Sequence, residues 1–383
     1  MIEKYYSGVI EQIYNRIGKE TRNIVMANYS NDFSIENLEV IRRYQSNEDN
    51  VFFAYSEFSY NTLVGAYEPF LDIICNMHRR FIGGSFDDFQ KECGVYYLHR
   101  QVLNSYYETG ECFREETVLL NEVAYEQRRM TMAIADMLKK LSEVKPLMIV
   151  INRFQMASKS SIETIKYLID NPCANIGIVL GVNAIVKGTD STVEVWDRIV
   201  ESLEDRSAIY YIGSAGPLKN NVKTTNDDEL YITMNFEQSI QEASNIMEFL
   251  DFEQARRGCR IIEHKLKFED AWIDEKSLRR FYMVYARTSV LLGEMSKAIE
   301  LTNEYKALIP ENDSEHYLSL YYFMKGTCYM YQGKLEKAGN SAKSAYDYAV
   351  LAEDDTLIFK AELLSVMIKM SGWYNIFFCV QDI

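Results

Sequence analysis

Proline and histidine are scarce, long apolar runs are missing, and no cluster of Lys and Arg exceeds a pair. With 5 Pro in 383 residues there is no proline-rich linker and no low-complexity or collagen-like tract. The four histidines (His78, His99, His264, His316) stand far apart in sequence, and the seven cysteines (Cys75, Cys93, Cys112, Cys173, Cys259, Cys328, Cys379) show no CxxC spacing, so no zinc motif is written into the chain. An odd, scattered set of thiols suits reduced cysteine and a cytoplasmic setting. Residues 1–10 carry acidic and aromatic side chains where a secretory signal needs a basic stretch and an apolar run. The most apolar segments, 146–151 and 176–182, have the length of buried strands and fall short of the ~20 residues that span a bilayer. The basic pairs Arg42-Arg43, Arg79-Arg80, Arg128-Arg129 and Arg256-Arg257 suit solvated helix faces, and a net charge of -15 disfavours contact with nucleic-acid phosphates. No Ser, Cys or His stands in a recognisable nucleophile motif, and neighbouring carboxylates such as Asp87-Asp88 and Glu115-Glu116 point apart on a helix.

What is present is globular: 48% hydrophobic and 25% charged residues, in a length that suits two or three domains. The first half alternates short β-branched runs (23–27, 51–55, 147–151, 176–180, 208–212) with longer amphipathic stretches, the pattern of a parallel sheet covered by helices. Helices are expected from a Ser34 cap to about Ser46, from about Glu116 to Ser142, and over 160–169. From Phe236 strand signals cease and helical periodicity takes over. The expected division is an α/β domain over 1–215, a polar linker over 216–235 and helical repeats over 236–383.

Those repeats show at an offset of 40, where Leu292-Gly293-Glu294-Met295-Ser296-Lys297-Ala298 matches Gln332-Gly333-Lys334-Leu335-Glu336-Lys337-Ala338. A weaker copy starts at Leu250, and Ser371-Gly372-Trp373-Tyr374 follows Gly333 by 39 residues. Each Gly is expected to end a first helix in the left-handed region, and each Ala to sit where the second helix crosses closely. Tyr322, Gly326, Tyr329, Ala338 and Ala345 give a bulky, small, aromatic, small, small order that resembles the tetratricopeptide family, at a period longer than its usual 34. The fold class expected is therefore α/β plus all-α. The pattern breaks off about ten residues after Gly372, so the chain is expected to be the N-terminal portion of a longer protein.

The segment 146–161 runs from a buried strand through Asn152-Arg153-Phe154-Gln155-Met156-Ala157-Ser158 to a Ser-led helix. It resembles the second nucleotide motif of the STAND branch of AAA+-related ATPases, a P-loop NTPase-like fold. Gln155, Ala157 and the pair Ser160-Ser161 match; the acidic pair is replaced by Asn152 and Arg153, and Ser158 stands where that family often has Asp. Mg²⁺ needs hard anionic oxygens, which Asn152 lacks and Arg153 opposes. The phosphate loop that the resemblance implies falls on 27–34, from Ala27 and Asn28 to Ser34, and it holds neither glycine nor lysine. Tyr67-Glu68-Pro69-Phe70-Leu71 is similar to the aromatic-Pro-Phe turn of the same family, and Asn183 falls at the end of its sensor strand. The degenerate positions are thus Asn28, Ser34, Asn152 and Arg153, and no cofactor and no metal are expected.

The resemblance implies a regulator that senses a protein, a peptide or a small effector through its repeats and passes the signal to an output domain. That output, a DNA-binding domain or a diguanylate cyclase, is expected outside this chain, which has no GGDEF string. The concave face of the first repeat helices is expected to include Arg280, Met283, Arg287, Leu320, Phe323, Thr327 and Met330; repeat-to-repeat packing is the alternative for Met283, Phe323 and Met330. Self-association is left open, and neither nucleic acid nor membrane is expected as a partner of this portion. The rival reading is a working ATPase in which Arg22, Lys19 or Arg153 serves phosphate and Glu57 or Asp170 the metal.

Overall fold

The computed structural model describes residues 2–29, 38–46, 50–59, 63–112, 122–183, 192–213, 235–268, 273–312 and 314–381. Ser34, the polar stretch 214–228 and the pair Glu115-Glu116 lie outside them. The chain forms two compact units, Met1–Asn235 with Ser244–Arg257, and Phe236–Ala243 with Gly258–Ile383.

In the first unit every expected strand forms: β1 (Ile24–Tyr29), β2 (Phe52–Glu57), β3 (Leu147–Asn152), β4 (Ile176–Asn183) and β5 (Ile209–Ile212). They make one parallel sheet in the order β2-β3-β4-β1-β5. All residues of β3 and β4 are buried, which explains their continuous apolar composition: a central parallel strand has protein on both faces. One face packs on α1 (Ile2–Arg16) and α2 (Glu39–Ser46). Tyr6, Val9, Ile10 and Ile13, at helical spacing on α1, join Val25, Ala27, Tyr29, Met148, Val150 and Val179 in one core cluster. By the two-residue period of a strand, Ile149, Ile151, Ile178 and Leu180 point the other way, and they are equally buried.

After β2 come α3 (Phe70–Met77), a π-helical turn (His78–Ile82), α4 (Phe86–Glu92) and α5 (Tyr97–Thr109). Then α6 (Val123–Val144) precedes β3, α7 (Lys159–Asp170) follows it, and α8 (Val193–Glu204) precedes β5. Ser85 caps α4 by accepting from the Asp88 amide at 3.2 Å.

The remaining helices are α9 (Phe236–Glu248), α10 (Phe252–Phe268), α11 (Glu275–Leu291), α12 (Met295–Ala307), α13 (Ser314–Tyr331), α14 (Leu335–Leu351) and α15 (Asp355–Gln381). Gly293 (φ 78°) and Gly333 (φ 73°) do end first helices. The Glu294 amide reaches back to the Ser289 carbonyl and the Lys334 amide to that of Tyr329, which satisfies carbonyls left open at the helix ends. The same turn forms without glycine at Leu250, in the first unit, and at Glu353. A β-carbon on Gly326 would stand 3.0 Å from Leu364 and 3.3 Å from Ser341, so α13 approaches its neighbours too closely for a side chain. Ala338 and Ala345 are fully buried.

One expectation fails. The chain does not turn at Gly372; α15 runs through it as a single 27-residue helix. Gly372 repeats the letter of Gly293 and Gly333 without their turn.

Candidate functional site

The strand order sets the C-terminal ends of β1, β4, β3 and β2 along one edge, with Tyr29 in register with Asn183 and Glu57 with Asn152. Open parallel sheets bind ligands at this edge, beside the strand where the chain reverses its direction across the sheet. Strand alternation points Tyr29, Gly181, Asn183, Asn152, Tyr55 and Glu57 to the face covered by α1. There the Tyr29 hydroxyl donates to the Asn152 side-chain oxygen at 2.5 Å. The Tyr6 ring, brought in by α1, stands edge-on to Tyr29 at 6.4 Å. A β-carbon on Gly181 would lie 2.9 Å from that Asn152 oxygen and closer still to the Tyr6 hydroxyl, so only glycine admits Tyr6. Burial, then the neighbouring Tyr29, Tyr55 and Glu57, push the Tyr6 hydroxyl well above its ordinary value.

Arg153 is held in the left-handed region (φ 54°), and its guanidinium pairs with the Glu57 carboxylate at 3.1 Å. The Tyr55 hydroxyl donates to the other oxygen of Glu57. Asn152 and Arg153 are therefore both engaged inside the protein: Asn152 by a tyrosine, Arg153 by a carboxylate from β2. Asn28 points to the opposite face, buried, and its side-chain oxygen meets no donor among the described residues. The Gln155 side-chain oxygen accepts from the Asn183 amide at 3.2 Å, which ties the segment after β3 to the end of β4.

The residues of the rival ATPase reading do not assemble. Lys19 and Arg22 precede β1 at the opposite end of the sheet, Lys19 donating to the Asn15 carbonyl at 3.0 Å. Asp170 closes the far end of α7, paired with Lys166 at 2.6 Å. Only Arg153 and Glu57 reach the C-terminal edge, and they neutralise each other.

A second constellation surrounds the N-terminus of α7. The Ser160 hydroxyl accepts from the Tyr67 amide at 3.0 Å, and the Ser161 hydroxyl donates to the Glu68 carbonyl at 2.8 Å. Segments 67–71 and 158–161 thus meet. The buried Asp251 carboxylate accepts from the Ser160 amide at 3.1 Å and from the Gln254 amide at 3.4 Å, capping α7 and α10 together. Gln127 donates to the Leu250 carbonyl at 2.6 Å, and Gln254 to that of Val64 at 2.9 Å. Asn245 accepts from the Cys112 amide and donates to the Gly110 carbonyl. A cavity of about 650 Å³ adjoins this clasp, lined in part by Tyr67, Thr131, Ser160 and Asp251. Sequence reasoning missed Tyr6, Tyr29, Asn245, Asp251 and Gln254. The 3–1–3 spacing of Tyr6, Val9, Ile10 and Ile13, which puts all four on one helical face, was the available signal for the first.

In the second unit Arg280 is exposed and donates to Gln241, while Met283, Arg287, Leu320, Phe323 and Thr327 are half-buried on α11 and α13. Thr327 spends its hydroxyl on the Phe323 carbonyl of its own helix. Met330 is 6% exposed in a cluster with Ala338, Ala342, Leu364 and Ile368, so it belongs to the core and leaves the candidate surface.

No protein-family model matches the chain, and no curated protein matches it in sequence. Among the described residues no three His, Cys, Asp or Glu side chains gather as metal ligands, and no helix is long and apolar enough to cross a membrane.

Proposed function

We propose that this chain is a non-catalytic sensing and protein-interaction module of a bacterial cytoplasmic signalling regulator, controlling an output domain outside the chain. In this reading the first unit is a P-loop NTPase-like domain of STAND type that has lost its nucleotide chemistry, and the second is a solenoid of tetratricopeptide-like helix pairs. One observation carries it: at the end of β3 the side chains that would serve Mg²⁺ and water are Asn152, bonded to Tyr29, and Arg153, paired with Glu57. The loop after β1 adds no glycine and no lysine, and a charge-assisted bond to phosphate contributes roughly 1.5–3 kcal/mol, so its loss alone lowers ATP affinity about ten- to a hundredfold, and the missing backbone cradle lowers it further.

The partner, a protein, a peptide or a small effector, then binds the second unit through Arg280, Met283, Arg287, Leu320, Phe323 and Thr327. Titration calorimetry with ATP and Mg²⁺ tests the nucleotide half of the proposal. No heat of binding is expected at millimolar nucleotide; micromolar binding would restore the reading of an active ATPase switch with unorthodox residues.

A further inference from the structure

α15 carries two apolar faces. Leu357, Ala361, Leu364 and Ile368 are buried, Leu364 and Ile368 in the core cluster that holds Ala338 and Ala342. On the other side Phe359, Leu363, Val366 and Met370 are 61%, 40%, 49% and 56% exposed. Their spacing of four, three and four is the a/d repeat of a helix that pairs with another helix along a seam. Four large apolar side chains in a row are far more than the scattered exposed hydrophobics of an ordinary surface, and Val350 and Leu351 of α14 are exposed as well.

We infer that this face binds a second copy of the chain, α15 lying antiparallel on its counterpart. The occupant follows from charge and register. Glu362 and Lys369 are both exposed and, at seven residues apart, line the same flank of the seam. A two-fold axis midway between Leu363 and Val366 sets Phe359 against Met370 of the second copy, and Leu363 against Val366 of the second copy. In that arrangement like flanks of the two helices face each other. Glu362 then meets Lys369 of the second copy, and the symmetry repeats the pair. The surface is self-complementary, as an isologous interface requires. Parallel pairing would instead set Glu362 against Met367 of the second copy and leave Lys369 without its carboxylate.

The inference is independent of the nucleotide reading, and sedimentation equilibrium of the 383-residue chain tests it. A reversible dimer is expected between about 1 and about 100 µM, the range of a modest helix-to-helix interface. Val366→Glu, at an exposed position that leaves the fold intact by circular dichroism, is expected to give a monomer. Glu362→Lys or Lys369→Glu alone should weaken the dimer about tenfold, and the double exchange should restore it to within about threefold. A chain that stays monomeric to about 100 µM would overturn the inference and hand this face to a different protein segment. A dimer indifferent to all three charge variants would overturn it too, since that is the behaviour of parallel pairing or of another surface.

Discussion

The Tyr29 hydroxyl and the Asn152 side-chain oxygen meet at 2.5 Å, linking the ends of β1 and β3 across the intervening β4. Both residues are completely buried, so the bond cannot be exchanged for one to water. Tyr29→Phe leaves the Asn152 oxygen without this donor and is expected to cost about 1–3 kcal/mol in a urea titration. Asn152→Asp keeps the shape and adds a buried negative charge; it should destabilise by at least as much and still give no ATP binding, because the loop after β1 has neither glycine nor lysine. Micromolar nucleotide binding by Asn152→Asp would show that a single carboxylate was all the site lacked.

Gly181 gives a sharper test of the same neighbourhood. A β-carbon there collides with the Tyr6 hydroxyl and presses on Asn152, so Gly181→Ala should destabilise by about 1–3 kcal/mol through overpacking. Adding Tyr6→Phe removes the colliding oxygen and should recover part of that loss. Equal melting temperatures for the wild type and Gly181→Ala would mean that Tyr6 does not seat over this glycine.

The strands were legible because central parallel strands must be apolar throughout, and 147–151 and 176–180 are. Their order was not, since nothing local states that β1 inserts between β4 and β5. The start of α3 was legible in Pro69-Phe70, whereas α1, α4 and α5 went unread: their apolar residues are spaced by threes and fours among charges, and in short segments that period is weak. The candidate site was half legible. Asn152 and Arg153 stand out against the pattern they break, and Glu57 was named only for a metal role rather than as the partner of Arg153, whereas Tyr6 lies 146 residues upstream of Asn152 and was not read at all. Gly372 misled because a glycine matches by letter, while the left-handed turn is not written in that letter: Leu250 and Glu353 make it without glycine.

Asp251 is expected to titrate visibly. Burial raises its carboxyl above the ordinary 3.8, outweighing the amide hydrogen bonds that favour the anion. The folded chain therefore keeps this proton at pH values where the unfolded chain has released it, so the group favours folding more as pH falls through that window and less as pH rises. The stability of the wild type relative to Asp251→Asn should increase from pH 7 toward pH 4, and the reverse slope would contradict the assigned burial. Asp251→Ala removes the shared acceptor of Ser160 and Gln254 and should cost about 1–2 kcal/mol at neutral pH.

Glycine at the turns of the second unit is needed for its backbone alone, since nothing lies within 4 Å of a β-carbon built on Gly293 or Gly333. Substituting alanine at either should cost about 1 kcal/mol, the penalty of a left-handed residue with a side chain. Glu353 holds the same conformation with a side chain in place, so Glu353→Gly should stabilise by a similar amount. Thermal melts of the three variants check both signs, and a stabilised Gly333→Ala would refute the turn.

Cys75 and Cys328 are expected to be inert. Burial pushes Cys75 and Cys328 up to about 12. At pH 8 their thiolate fraction is then on the order of 10⁻⁴, against roughly a quarter for an ordinary thiol. The greater nucleophilicity of a basic thiolate offsets part of this, leaving labelling by a disulfide reagent about a hundredfold slower in the native chain than in denaturant. The sign for stability follows: both thiols stay protonated in the fold while the unfolded chain ionises near the ordinary ~8.5, so their contribution is complete below that pH and is lost as pH climbs toward 12. Alkaline melts should show the decline, and it should shrink in Cys75→Ser/Cys328→Ser after correction for the cost of the substitutions themselves. Labelling of either cysteine at the denatured rate would make it a candidate redox sensor and shift the search for the stimulus away from the helical surface.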